Sequence, residues 1–131
     1  MKILLVEDNE QLRFLFSEQL KKFGLEADYA WDGLEALKKL CDVYNSYDVV
    51  FMDLNLPMHT GFEVAEKFRE RRPEYKTRIY AFSGSQSPTI GEAAVKAGMQ
   101  GCFQKPFSLD ELKAILIETR VLTWWKEKED V

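Results

Sequence analysis

Apolar residues run along this chain in two alternating rhythms. Ile3-Leu4-Leu5-Val6 and Val49-Val50-Phe51-Met52 are unbroken apolar runs, closed by Glu7-Asp8 and by Asp53 respectively. Short continuous runs of this kind read as strands buried on both faces, as in a parallel sheet. Residues 2–6, 26–30, 49–53, 78–82 and 101–104 are the five expected strands. Between them apolar residues recur at helical spacing. Leu12, Leu15, Phe16, Leu20 and Phe23 form the first stripe, stopped by Gly24. Asp32 caps a second helix carrying Leu34, Leu37, Leu40 and Cys41. A polar loop over residues 42–47 precedes the third strand. Pro57 and Gly61 form the turn after Asp53, and Phe62, Ala65 and Phe68 face inward on a third helix. Ala93, Ala94 and Ala97 belong to a fourth helix ended by Gly98. Ser108 caps a fifth with Leu109, Leu112, Ile115, Leu116, Thr119 and Leu122. Strand and helix thus alternate five times, which predicts an α/β fold. Its parallel sheet has helices on both faces and right-handed crossovers.

Composition narrows the function classes. At 131 residues the chain reads as one domain with a real core. Net charge is −4, with acids and bases mixed and no basic stripe, so nucleic acid is not an expected partner. The N-terminal apolar run is too short for a signal peptide or a membrane span. Cys41 and Cys102 lie far apart without metal-ligand spacing, which suits free thiols in a reduced, cytoplasmic setting. There is no internal repeat, low-complexity segment or interdomain linker.

The chemistry gathers at the strand ends. In open parallel sheets ligands bind outside the carboxyl ends of the strands. That edge would collect Glu7-Asp8, Asp53, Ser83 and Lys105. Three neighbouring carboxylates repel unless a cation or proton compensates, and hard oxygen ligands suit Mg²⁺. An aspartate carboxylate can attack phosphorus and form an aspartyl-phosphate. Such transfer depends on positioning and charge neutralisation. Mg²⁺ and Lys105 would supply the positive charge, and Ser83 a hydrogen bond to a phosphoryl oxygen. Only the second strand, ending near Trp31, brings nothing to this edge, which suits an outer position. Singly, an Asp at a strand end is more often a turn or cap residue, and Glu-Asp a solvated pair. Their joint appearance at four strand ends carries the reading.

Leu5-Val6-Glu7-Asp8-Asn9, Asp53 with Pro57 and Gly61, Ser83, Ala97-Gly98-Met99 and Lys105-Pro106-Phe107 together carry a resemblance. Over nearly all of residues 1–125 the chain resembles the receiver domain of two-component response regulators, leaving 126–131 as a short charged tail. The resemblance implies a flavodoxin-like, doubly wound, five-stranded parallel sheet of order 2-1-3-4-5 with five helices. It implies phosphorylation of Asp53 by a sensor histidine kinase or a histidine phosphotransfer protein. Mg²⁺ would be held by the side chains of Asp8 and Asp53, by the backbone carbonyl of Asn55 and by Glu7 through water. Ser83 would be the switch hydroxyl and Lys105 the phosphate-pairing lysine, aimed by a cis Lys105-Pro106 peptide.

The chain would then be a regulatory phosphoacceptor domain and not a metabolic enzyme. It would act on a downstream protein target or, alternatively, pass the phosphoryl group on as a relay intermediate. A homodimer is compatible with either role. A receiver-like interaction module that is never phosphorylated is a further reading. Such modules usually lose the Asp, the Lys or the acidic pair, all retained here. A phosphatase with an Asp-x-Asp nucleophile motif is disfavoured by Asp53-Leu54-Asn55. The chain departs from the family at Glu7, often Asp, and at Ser83, frequently Thr. It also has Cys102 where many relatives carry the Tyr or Phe that follows the hydroxyl inward. Outside the constellation, His59 reads as an exposed loop residue. Lys67, Arg69, Arg71 and Arg72 read as a solvated helix end. Of Trp124 and Trp125, at least one should cover the core.

Overall fold

A computed structural model of the chain describes residues 2–84, 88–105 and 108–119. Ten elements alternate: β1 (Ile3–Val6), α1 (Glu10–Lys21), β2 (Asp28–Ala30), α2 (Gly33–Leu40), β3 (Val49–Asp53), α3 (Gly61–Arg71), β4 (Arg78–Ser83), α4 (Pro88–Lys96), β5 (Gly101–Gln104) and α5 (Leu109–Glu118). The strands form one parallel sheet in the order β2-β1-β3-β4-β5. Fold class and strand order are those expected from the sequence.

Successive strand side chains point to opposite faces, so each apolar run feeds two cores. Leu4, Val6, Val50, Met52, Ile79 and Ala81 pack against α2, α3 and α4. Ile3, Leu5, Val49, Phe51, Tyr80 and Phe82 pack against α1 and α5. Phe51 and Phe68 are fully buried, and truncating either to Ala would cost about 3–5 kcal/mol. Among the described residues, four helices begin at side-chain caps. Asn9 accepts from the Leu12 N–H at 3.1 Å, Asp32 from Glu35 at 2.7 Å and Thr60 from Glu63 at 3.2 Å. Ser108 and Glu111 form a reciprocal capping box. Three of these caps sit just beyond a strand end, so they fix the loops of the acidic edge. Among the described residues no helix is long and apolar enough to cross a membrane.

Several expectations need correction. The second strand spans Asp28–Ala30 and not 26–30, because only those residues pair with β1 at the sheet edge. Leu15 and Leu34 are exposed. At about 100° per residue, each lies roughly a quarter-turn or more from the centre of its helix's buried stripe. Tyr47, expected in a polar loop, is buried and donates to Asp28 at 2.7 Å. The arginines after α3's core stripe are not simply solvated. Arg69 donates to Gly98 O at 3.0 and 2.9 Å and to Thr77 O at 2.6 Å, and Arg72 donates to Cys41 O at 3.1 Å. They hold backbone carbonyls just past α4, just before β4 and just past α2. Leu122, Trp124, Trp125 and the tail lie outside the described residues, as does Pro106 and with it the Lys105-Pro106 peptide.

Candidate functional site

Asp53 is the last residue of β3 and is 2% exposed. Both its oxygens are held. Oδ1 accepts the Asn55 N–H at 3.0 Å, and Oδ2 accepts Lys105 Nζ at 2.7 Å. This arrangement needs a tight loop after β3. Gly61 N–H donates to Leu54 O at 3.0 Å, and a Cβ on Gly61 would lie 2.6 Å from Asp53 O. Only glycine permits that approach.

Lys105 follows β5 and reaches back across the sheet edge. Its N–H donates to Ser83 O at 2.8 Å, which fixes its backbone to the end of β4. Its ammonium bridges Asp53 and Glu7, donating to Glu7 Oε1 at 3.0 Å, and lies 5.2 Å from the Phe82 ring centroid. Burial pulls the Lys105 pKa down, but Asp53 and Glu7 outweigh it and hold it above the ordinary lysine value.

Glu7 directly follows β1 and is 1% exposed. Its N–H donates to Ala30 O at 3.0 Å, extending the β1–β2 ladder by one bond. Among the described residues its buried Oε2 has no hydrogen-bond partner. Burial, then the neighbouring Asp53 carboxyl, push Glu7 up to about 7 against the opposing pull of Lys105. Asp8 is exposed, and carboxylate oxygens of Glu7, Asp8 and Asp53 lie within 4.8 Å of one another. Among the described residues, one ammonium thus pairs with two of three clustered carboxylates, and Glu7 keeps a buried oxygen without a partner. An all-oxygen donor set of this kind fits a hard divalent cation such as Mg²⁺.

The other expected site residues fall around this core. Ser83 ends β4, buried, one position beyond Phe82, the register partner of Asp53. Asn55 is exposed beside Asp53. Cys102 is half-buried on β5 opposite Ala81, packed on the α2–α4 side, and burial pushes its thiol pKa up. His59 is not the exposed loop residue expected. It is half-buried against Gly33, where an added Cβ would lie 2.6 Å from His59 Cβ, and its ring pairs with Glu63 at 3.3 Å. The Gly33 N–H also donates to Pro57 O at 3.1 Å, so the loop after Asp53 is seated on the start of α2. One residue at this edge went unnoticed in the sequence. Arg13 donates to Glu7 O at 2.8 Å and lies 5.1 Å from the Trp31 ring centroid. Its sole sequence signal is its place one turn after the Asn9 cap.

The sheet order and the acid-and-lysine edge define a class of doubly wound α/β domains with a carboxylate pocket at the strand ends. A family model described as the response regulator receiver domain matches residues 3–117, and the chain belongs to that family. It is 33% identical over 116 residues to the sensor protein EvgS of Escherichia coli (strain K12), covering 88% of this chain and 9% of that protein. It is 31% identical over 118 residues to the autoinducer 2 sensor kinase/phosphatase LuxQ of Vibrio harveyi, covering 90% and 13%. The chain therefore spans a small part of the length of these relatives. Among solved structures, the chemotaxis response regulator CheY4 of Vibrio cholerae superposes with a TM-score of 0.79 at 31% identity, covering 90% of this chain and 97% of that one. The co-crystal structure of the Saccharomyces cerevisiae histidine phosphotransfer signaling protein Ypd1 with the receiver domain of Ssk1 gives 0.78 at 25%, covering 86% and 83%.

Proposed function

We propose that Asp53 accepts a phosphoryl group from a histidine kinase or histidine phosphotransfer protein, and that the charge gained there changes the binding of a downstream protein. The observation that carries this is the Asp53 carboxylate itself. It is buried at a strand end, held on both oxygens and grouped with Glu7, Asp8 and the Lys105 ammonium. An Asp53 oxygen attacks phosphorus, the P–N bond of the donor phosphohistidine breaks, and the imidazole nitrogen keeps the electron pair. Asn55 N–H orients the attacking carboxylate. Lys105, already 2.7 Å from Oδ2, exchanges a carboxylate for a phosphoryl oxygen. Asp8 and Asp53 side chains, the Asn55 carbonyl and Glu7 through water would hold Mg²⁺. Bound there, the ion neutralises phosphoryl charge and so lowers the cost of bringing two anions together. Ser83 supplies the hydroxyl that the new phosphoryl group attracts, with Cys102 in place of an aromatic follower. The solved pairing of a phosphotransfer protein with a receiver domain supports the donor class. We assign residues 1–125 to this unit and 126–131 to a tail.

Beryllofluoride with Mg²⁺, a stand-in for the phosphoryl group, tests the switch. Amide shifts in the full chain should extend from Asp53 through residues 83–105. Perturbations confined to the neighbours of Asp53 would contradict a switch. The phosphoryl lifetime with and without a phosphotransfer partner then separates a terminal regulator from a relay intermediate.

A further inference from the structure

Arg13 lies outside the residues used above, yet it reaches the acidic turn from one helical turn away. Its Nη1 donates to the Glu7 carbonyl at 2.8 Å. The N–H of Glu7 donates in turn to Ala30 O at 3.0 Å. The Glu7 backbone is thus tied on both sides. Asn9 is fixed as well, its side chain accepting from Leu12 N–H at 3.1 Å and its carbonyl from Arg13 N–H at 3.0 Å. Asp8 sits between two tied residues, so its backbone sets where its carboxylate is presented. The Arg13 guanidinium is itself confined, 5.1 Å from the ring centroid of Trp31, a side chain that remains 52% exposed. Guanidinium–indole packing of this kind restricts an otherwise mobile side chain. The strand that brings no acid to the edge contributes this ring just past its end.

We propose that Arg13 is a positioning residue of the cation site. It holds the Glu7–Asp8 peptide so that Asp8 is presented beside Glu7 and Asp53, and it thereby raises the affinity for Mg²⁺. The inference rests on reading this edge as the cation site. Groups that orient metal ligands typically change affinity about 10–100-fold when removed. Simple Coulomb repulsion runs the other way, since a guanidinium near a cation site weakens binding. The sign of the effect therefore separates positioning from charge.

The test is a MgCl₂ titration of the full chain followed by backbone amide shifts, comparing the unaltered protein with Arg13→Met. Methionine keeps an apolar stem near Trp31 but removes both the hydrogen bond and the charge. The dissociation constant should rise about tenfold. An unchanged or lowered constant would overturn the proposal. Urea unfolding of the same variant is measured alongside, and lost stability with unchanged Mg²⁺ affinity assigns Arg13 to the fold alone. Should Arg13→Met fail to fold, Arg13→Leu, which likewise lacks both the donor and the charge, carries the same comparison. Absence of a saturable response in the unaltered chain would instead bring down the cation-site reading itself, and this inference with it.

Discussion

Replacing Glu7 with glutamine should make the metal-free protein more stable at neutral and alkaline pH. Glu7 is 1% exposed, shares one ammonium with Asp53 and leaves Oε2 without a partner. Its pKa stands at about 7 in the folded chain, against 4.5 as the ordinary value, through burial first and then the Asp53 carboxyl. Between those two values the folded chain keeps the proton that the unfolded chain has released. Stability therefore falls as pH rises through that window and levels off above it. At about 1.4 kcal/mol per pH unit, the Glu7 contribution lost between pH 5 and pH 8 is about 2–3 kcal/mol. Glu7→Gln keeps the side-chain shape and an acceptor for Lys105 but does not titrate. Its advantage over the unaltered chain should grow by that amount across the same range. Urea denaturation in EDTA at pH 5, 6, 7 and 8 reads this as a midpoint difference widening by roughly 1–2 M. Mg²⁺ should restore more stability to the unaltered chain than to the variant. Parallel stability–pH profiles for the two proteins would refute the charge-frustration argument.

Arg69→Met removes the donors that hold Gly98 O and Thr77 O, and charged hydrogen bonds contribute about 1.5–3 kcal/mol each. Urea unfolding should show a loss of about 3 kcal/mol. Ser83→Ala should clearly reduce the beryllofluoride-induced amide shifts of residues 88–105, whereas Cys102→Ala should change them only mildly. The reason is that the half-buried thiol has little packing to rearrange. Loss of the whole response in Cys102→Ala would contradict this route of transmission.

The site was legible where an apolar run met a charge. Val49–Asp53 states its own geometry, since a strand buried on both faces must release Asp53 at its end, and the same logic places Glu7 after β1. The caps at Asp32 and Ser108 were legible because their side chains act on backbone three residues away. Distances across the chain were not. That Lys105 bridges Glu7 and Asp53, 98 and 52 residues distant, follows only once β5 lies beside β4. Arg69 looked solvated because its polar partners are backbone carbonyls near the start of β4 and the end of α4, which carry no residue identity. Arg13 was hidden for the same reason, as its partner is the carbonyl of Glu7 and not its carboxylate. Leu15 and Leu34 misled because an apolar residue on a helix need not face the core when others already fill the stripe.

The assignment of Asp53 is tested most directly by intact mass. The full chain is incubated with acetyl phosphate and Mg²⁺, alongside Asp53→Asn and an EDTA control. The unaltered chain should gain the mass of one phosphoryl group, and both the variant and the chelated sample should gain none. Equal labelling of Asp53→Asn would contradict the account.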